Sequence, residues 1–274
     1  MRYFLYLSYN GAAYSGWQTQ PNAPTVQQTI EEALATVLRH PCPILGAGRT
    51  DAGVHARLMV AHLDLSLPPQ EAVWLLERTN RLLPKDIALH GIRPMHPEAH
   101  ARFSALERTY RYYISEAKDP FWGDFTLRLY HHLDIDRMNE AAVLLPSFTD
   151  FTSFSKLHTD VKTNNCKVRE ARWQADPTRS GAYIFTITAD RFLRNMVRAI
   201  VGTLFQVGKG RLSVEDFVRI IEAKDRCSAG SSAPGHALFL ENVTYPEELF
   251  LTDKEALALF EAEQAAGIAE GAQD

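Results

Sequence analysis

Strand and helix signals run along the chain twice in a similar order, which predicts an α+β protein of two related, ferredoxin-like halves. Three observations carry this. Aromatic and aliphatic runs of strand length at residues 2–9, 55–65 and 86–93 alternate with two helical patterns. Pro94 and Pro97 then punctuate a polar break. Beyond it, strand signals return at 108–115, 126–132, 167–175 and 182–189, with helices interspersed. The expected division is 1–104, 105–246 and a tail at 247–274.

Each element has a local reason. Residues 2–9, Arg-Tyr-Phe-Leu-Tyr-Leu-Ser-Tyr, form an opening strand that Asn10-Gly11 ends as a turn. Thr25 with Gln28 reads as a capping box. Val26, Ile30, Leu34 and Val37 recur at helical spacing behind it, and Pro41 closes that run. A second helix spans Pro69 to Leu82, with Pro84 beyond. In the second half, Asp136 is expected to cap a helix through Leu145. The strands at 167–175 and 182–189 are joined by a turn at Ser180-Gly181. A long helix is expected from Phe192 to Val207, stopped by Gly208 and Gly210, and Ser213 with Asp216 opens a short last one to Lys224. Past Pro246 the chain is rich in Ala and Glu, which predicts a helical tail that frays.

Hydrophobic residues at 46% and charged residues at 23% are those of an ordinary globular protein. No apolar run approaches the ~20 residues of a membrane span, and the opening strand shows no signal-peptide cleavage pattern. Cys42, Cys166 and Cys227 are far apart with no CxxC spacing. This argues against a disulfide framework or thiolate metal site and for a reducing cytoplasm. Net charge is −4, but residues 241–274 hold nine acids against Lys254, which leaves +4 on residues 1–240. A mildly basic body with an acidic tail is compatible with an RNA partner.

Chemistry concentrates in three places. The first is the loop Gly46-Ala47-Gly48-Arg49-Thr50-Asp51-Ala52-Gly53-Val54-His55-Ala56, between a helix and a strand. Its glycines admit unusual backbone angles and close approach, and it presents Asp51 two residues after Arg49. A carboxylate beside a guanidinium stays ionised and can act as nucleophile or base. Equally, such an aspartate can cap a turn and pair with Arg49 on the surface. The second is the long helix, where Leu193, Met196, Val197, Ile200, Leu204 and Val207 share one stripe. Arg191, Arg194 and Arg198 share the opposite one, either a solvated face, a row facing phosphates, or a set of which one reaches inward to pair with a carboxylate. The third is the strand Arg108-Thr109-Tyr110-Arg111-Tyr112-Tyr113, whose interleaved arginines and tyrosines suit base stacking as well as cross-strand packing. The histidines at 90, 96, 100, 131 and 132 fit no zinc spacing.

The residues also resemble a known family, the bacterial tRNA pseudouridine synthases that modify uridines 38–40 of the anticodon arm. The likeness runs to about Pro246. It includes Tyr9-Asn10-Gly11, Gly16-Trp17-Gln18, Thr25-Val26-Gln27 and the signature loop from Gly48 to Ala56. It continues through Arg102-Phe103-Ser104-Ala105, Tyr110-Arg111-Tyr112, Asp150 to Phe154, Phe192-Leu193, Met196-Val197-Arg198, Val201-Gly202, Ala233-Pro234 and Leu238 to Leu240. It departs where the family often has Gly-Gln-Val after Ala56, here Arg57-Leu58-Met59-Val60, and where Asn often follows Arg198, here Ala199. The acidic tail lies outside the likeness.

That resemblance implies a mixed, mostly antiparallel central sheet shared by two α+β halves. It implies a homodimer acting on tRNA in a basic cleft, without metal or organic cofactor. In the roles it implies, Asp51 is the nucleophile, Tyr110 stacks on the flipped base and joins the later proton transfer, and Arg198 pairs with Asp51. Arg49 helps open the stem and place the flipped nucleotide. Apart from the resemblance, the arginine row and the Arg/Tyr strand offer Arg194 and Arg111 as further substrate-binding residues. Two other readings compete: a catalytically silent tRNA-binding or chaperone protein, and a metal-dependent hydrolase using Asp51, His55 and other histidines.

Overall fold

The computed structural model describes residues 1–156 and 163–271. The chain divides into two compact units. One comprises Met1–Thr50, Ala56–Leu106 and Val243–Asp274; the other comprises Asp51–His55 and Glu107–Asn242. The long tail therefore belongs to the first unit, and the Asp51 turn belongs to the second.

In the first unit the strands are β1 (Arg2–Tyr9), β2 (Leu45–Gly46), β3 (His55–Asp64, of which His55 lies in the second unit) and β4 (Ile87–Pro94). β1 sits between β3 and β4 and runs antiparallel to both, and β2 pairs with β3. Alternation along β1 buries Tyr3, Leu5, Leu7 and Tyr9. Helices α1 (Val26–Leu38) and α2 (Pro69–Leu82) contribute Ile30, Leu34 and Leu75 to the buried set. The Thr25 side chain accepts from Gln28 N, as expected of an N-cap, but the Gln28 side chain bonds Glu32 instead, so only half of the predicted capping box is made. Thr50, one residue before Asp51, is fixed here: its hydroxyl meets Tyr9 Oη at 2.8 Å and its carbonyl accepts from Trp17 N at 3.2 Å.

The same unit carries a pH-sensitive histidine. His62 is buried and its Nδ1 accepts from Ala101 N at 3.1 Å, so protonation at that nitrogen breaks the bond. Burial pushes its pKa down to about 4; the charges of Arg2 and His100 push the same way and Asp64 opposes them. The folded pKa lies below the unfolded one, so the stabilisation is complete above about pH 6.5 and is lost as pH falls towards 4. The Arg2–Asp64 ion pair, with Asp64 held below its usual value, weakens further on acidification. We expect the His62→Gln protein to show a flatter decline in urea midpoint between pH 6.5 and 4.5. The difference should be at most about 1.4 kcal/mol per pH unit; parallel curves for the two proteins would refute the assignment.

The second unit holds β5 (Glu107–Ser115), β6 (Leu127–Arg128), α3 (Ile135–Ala142), β7 (Val168–Ala175), β8 (Ala182–Ala189), α4 (Met196–Gly208), α5 (Val214–Glu222) and β9 (Leu238–Thr244). The strand order is β9-β5-β8-β7. β8 is antiparallel to both β5 and β7, while β6 adds a short parallel pair to β5. Both units are thus strands packed with helices, and the α+β class stands. β9 crosses from one unit to the other along its own length, since Val243 and Thr244 belong to the first.

Several local expectations are corrected. Asp134, not Asp136, caps α3, accepting from Arg137 N at 2.9 Å, and the helix ends at Ala142 before a separate 3-10 turn. The strand expected at 126–132 shrinks to Leu127–Arg128. The long helix begins at Met196 rather than Phe192, because Asn195 takes φ 67°, a left-handed conformation that a right-handed helix cannot continue. Arg191 and Arg194 therefore precede α4 and share no helical row with Arg198. Within α4 every residue but Arg198 and Gln206 is buried, so it is a core helix rather than an amphipathic one.

The tail forms α6 (Asp253–Gly271), with the end of the acidic segment outside the described residues. No helix among the described residues is long and apolar enough to cross a membrane. Cys42 and Cys166 are buried, and burial pushes their thiols up to about 11 and about 12; Cys227 is exposed.

Candidate active site

Asp51 opens a tight turn. Val54 N donates to Asp51 O at 3.2 Å, and Gly53 supplies the positive φ (74°) that the turn needs. A Cβ at Gly53 would meet no atom within 4 Å, so the requirement there is one of backbone angle alone. The turn leaves the carboxylate at its start, one residue from the anchored Thr50.

Two guanidinium groups converge on that carboxylate. Arg198 Nη1 lies 3.3 Å from Oδ2 and Arg194 Nε lies 3.8 Å from Oδ1. The two cations come from different settings. Arg198 stands in the first turn of α4, with its side chain and that of Asp51 each 24% exposed. Arg194, in the turn before the helix, is 59% exposed. An ion pair this sheltered keeps its geometry better than a surface one, yet stays reachable from solvent.

β5 brings the tyrosines. Alternation sets Tyr110 and Tyr112 on one face, where Tyr110 meets Phe192 edge-on at 5.1 Å and Tyr112 meets Phe205 edge-on at 6.2 Å. The Tyr112 hydroxyl donates to Pro234 O at 3.0 Å. Burial pushes the Tyr110 phenol up to about 12; the charge of Arg108 pulls it down, and that of Asp51 adds to the rise. Tyr110 is therefore a neutral phenol at ordinary pH, within the electrostatic reach of the Asp51 carboxylate.

The candidates do not all gather. Asp51, Arg198, Arg194 and Tyr110 form one neighbourhood. Arg111 points to the other face of β5, where its Nη1 pairs with Glu241 Oε1 at 3.0 Å. Arg49 is exposed and belongs to the first unit. His55, required by the hydrolase alternative, is fully buried, its Nε2 donates to His236 O at 2.9 Å, and its ring stacks on Phe239. Burial is the main cause that pushes its pKa down. Among the described residues no group of three or more His, Cys, Asp or Glu is arranged to hold a metal ion. Reading the sequence missed the Glu241 partner of Arg111, on β9, and the second partner of Arg198, the Ala233 carbonyl in the segment before β9. A signal was there: the Ala-Pro-Gly run at 233–235 marks a fixed backbone path.

The family model for tRNA pseudouridine synthase matches residues 141–246. The tRNA pseudouridine synthase A of Porphyromonas gingivalis is 63% identical over 251 residues, covering 91% of this chain and 99% of that one. Its counterpart in Parabacteroides distasonis is 62% identical over 91% of this chain and 98% of its own. That of Bacteroides fragilis is 56% identical with the same two coverages. The chain belongs to the tRNA pseudouridine synthase family.

Proposed function

We propose that this protein isomerises uridine to pseudouridine at one or more of positions 38, 39 and 40 of the tRNA anticodon arm, with Asp51 as nucleophile. The observation that carries the reading is the Asp51 carboxylate held between Arg198 and Arg194 in a chain of this family. The flanking cations favour the ionised form, which is the attacking one. The covalent balance is simple. The bond from C1′ to N1 breaks and one from C1′ to C5 forms; C5 loses a proton, N1 gains one, and Asp51 is released unchanged. No electrons are transferred, so the reaction needs no oxidant or reductant.

Each residue has a task in that sequence. The target nucleotide must first leave the stack, at a cost of a few kcal/mol that stacking and phosphate contacts offset. Tyr110 supplies the aromatic face for the flipped base, and its phenol serves the proton that leaves C5. Arg194, more exposed than Arg198, reaches a phosphate as well as the carboxylate, and Arg49 places the flipped nucleotide. Arg111 is a weaker candidate for a substrate contact, since Glu241 already neutralises it. By family likeness the protein works in the cytoplasm as a homodimer.

The test uses tRNA transcripts with a single uridine at position 38, 39 or 40, tritiated at C5, in the presence of EDTA. The expected result is tritium release from at least one of them, with pseudouridine recovered in the RNA. Binding without release from any transcript would return the protein to the silent tRNA-binding reading.

A further inference from the structure

One short segment touches both Arg198 and the turn that Asp51 opens. Residues 230–237 run from the end of a 3-10 turn to the start of β9. Ala233 brackets Arg198 twice: its N–H donates to Arg198 O at 2.9 Å, and its carbonyl accepts from Arg198 Nε at 2.7 Å. The guanidinium thus spends one nitrogen on this strap and offers another, Nη1, to Asp51. Two residues on, Gly235 lies against the Asp51 turn so closely that a Cβ there would sit 2.8 Å from Ala52 O and 3.4 Å from Val54 Cγ2. Next, His236 O accepts from His55 Nε2, the residue that leaves the same turn. Between these contacts Pro234 O accepts the Tyr112 hydroxyl. Further back, Gly230 N donates to Thr203 Oγ1 and Ser232 Oγ accepts from Asn195 Nδ2, which fastens the strap to both ends of the first half of α4.

Asp51 and Arg198 are 147 residues apart in sequence. Their side chains meet at 3.3 Å, and the backbones that carry them are held by separate contacts. We propose that the strap at residues 230–237 is the positioning element of the active site, and that Gly235 and His55 set where Asp51 stands relative to Arg198. The inference rests on the proposed isomerase reading. The strap grips Arg198 through Ala233 and the catalytic turn through Gly235 and His236, so a displacement on one side alone changes the distance between nucleophile and counter-ion. A misplacement of about 1 Å at a reacting group costs about 10²-fold in rate.

The experiment compares Gly235→Ala, His55→Leu and His55→Gln with the wild type by tritium release from a C5-labelled transcript, measuring kcat and KM separately, with melting temperatures alongside. Expected for Gly235→Ala is a kcat lower by about 10²-fold with KM for tRNA within about twofold, because no group that binds RNA is removed. His55→Leu should lose kcat likewise, and His55→Gln, whose amide N–H can still reach His236 O, should recover most of it. Should Gly235→Ala fail to fold, the two His55 variants decide. Wild-type release with unchanged kcat in Gly235→Ala, or equal kcat in His55→Leu and His55→Gln, overturns the inference while leaving the isomerase reading intact. No release by the wild type removes the reading and the inference together.

Discussion

Asp51→Asn should lower turnover by about 10⁴-fold or more while leaving tRNA affinity equal or slightly higher. Asparagine matches aspartate in shape, so the turn closed by Val54 N and Gly53 keeps its backbone. What disappears is the negative charge and, with it, nucleophilicity; loss of a nucleophile commonly costs 10⁴–10⁶ in rate. Binding moves the other way for an electrostatic reason. Arg198 and Arg194 lose the carboxylate at 3.3 and 3.8 Å that offsets their charge, so the site becomes more attractive to a polyanion. Single-turnover tritium release and filter binding, performed on the same preparation, check both halves. An Asp51→Asn protein that kept a tenth of wild-type turnover would remove Asp51 from the nucleophile's role.

Gly202→Ala should destabilise the fold by about 2–4 kcal/mol, although alanine is the better helix former. Intrinsic propensity favours alanine in mid-helix by about 1 kcal/mol. Against this, a Cβ at residue 202 would stand 1.8 Å from Ser231 O and 3.2 Å from Ala233 N, which are backbone atoms of the strap. They cannot swing aside as a flexible side chain does, so either α4 or the strap must move, and steric overlap of that kind outweighs propensity. The measurement is the urea midpoint and slope; an unchanged or raised midpoint would show that the strap yields without cost. The surviving folded protein should also lose activity, since its strap no longer holds Ala233 against Arg198.

What could be read in the sequence follows a physical divide between local and distant causes. β1, α2 and β8 end where the pattern places them, because alternation, a leading proline and glycine turns act over a few residues. The Asp51 turn was legible for the same reason: its aspartate and its glycine stand two residues apart. The start of α4 was not. Asn195 sits in a left-handed conformation while bonded to Ser232, 37 residues away, and nothing in its neighbours announces that. The supposed arginine row failed with it, since two of its members precede the helix. Arg111 illustrates the complementary limit. Alternation correctly put it on the face of β5 opposite Tyr110, but only the pairing with Glu241, 130 residues on, reveals that its charge is spoken for. β9 escaped notice as a strand because its apolar run is short and breaks at Glu241 and Asn242.

The cysteines have a practical consequence. Two thiols are buried and strongly held in the protonated form, and the third, Cys227, is exposed in the one-turn segment beside Arg226. Arg226 itself donates to Gly230 O and Ser232 Oγ. A maleimide dye added to the unaltered protein will therefore attach at a single place, at the foot of the strap, and its emission becomes an optical gauge of that segment as RNA arrives.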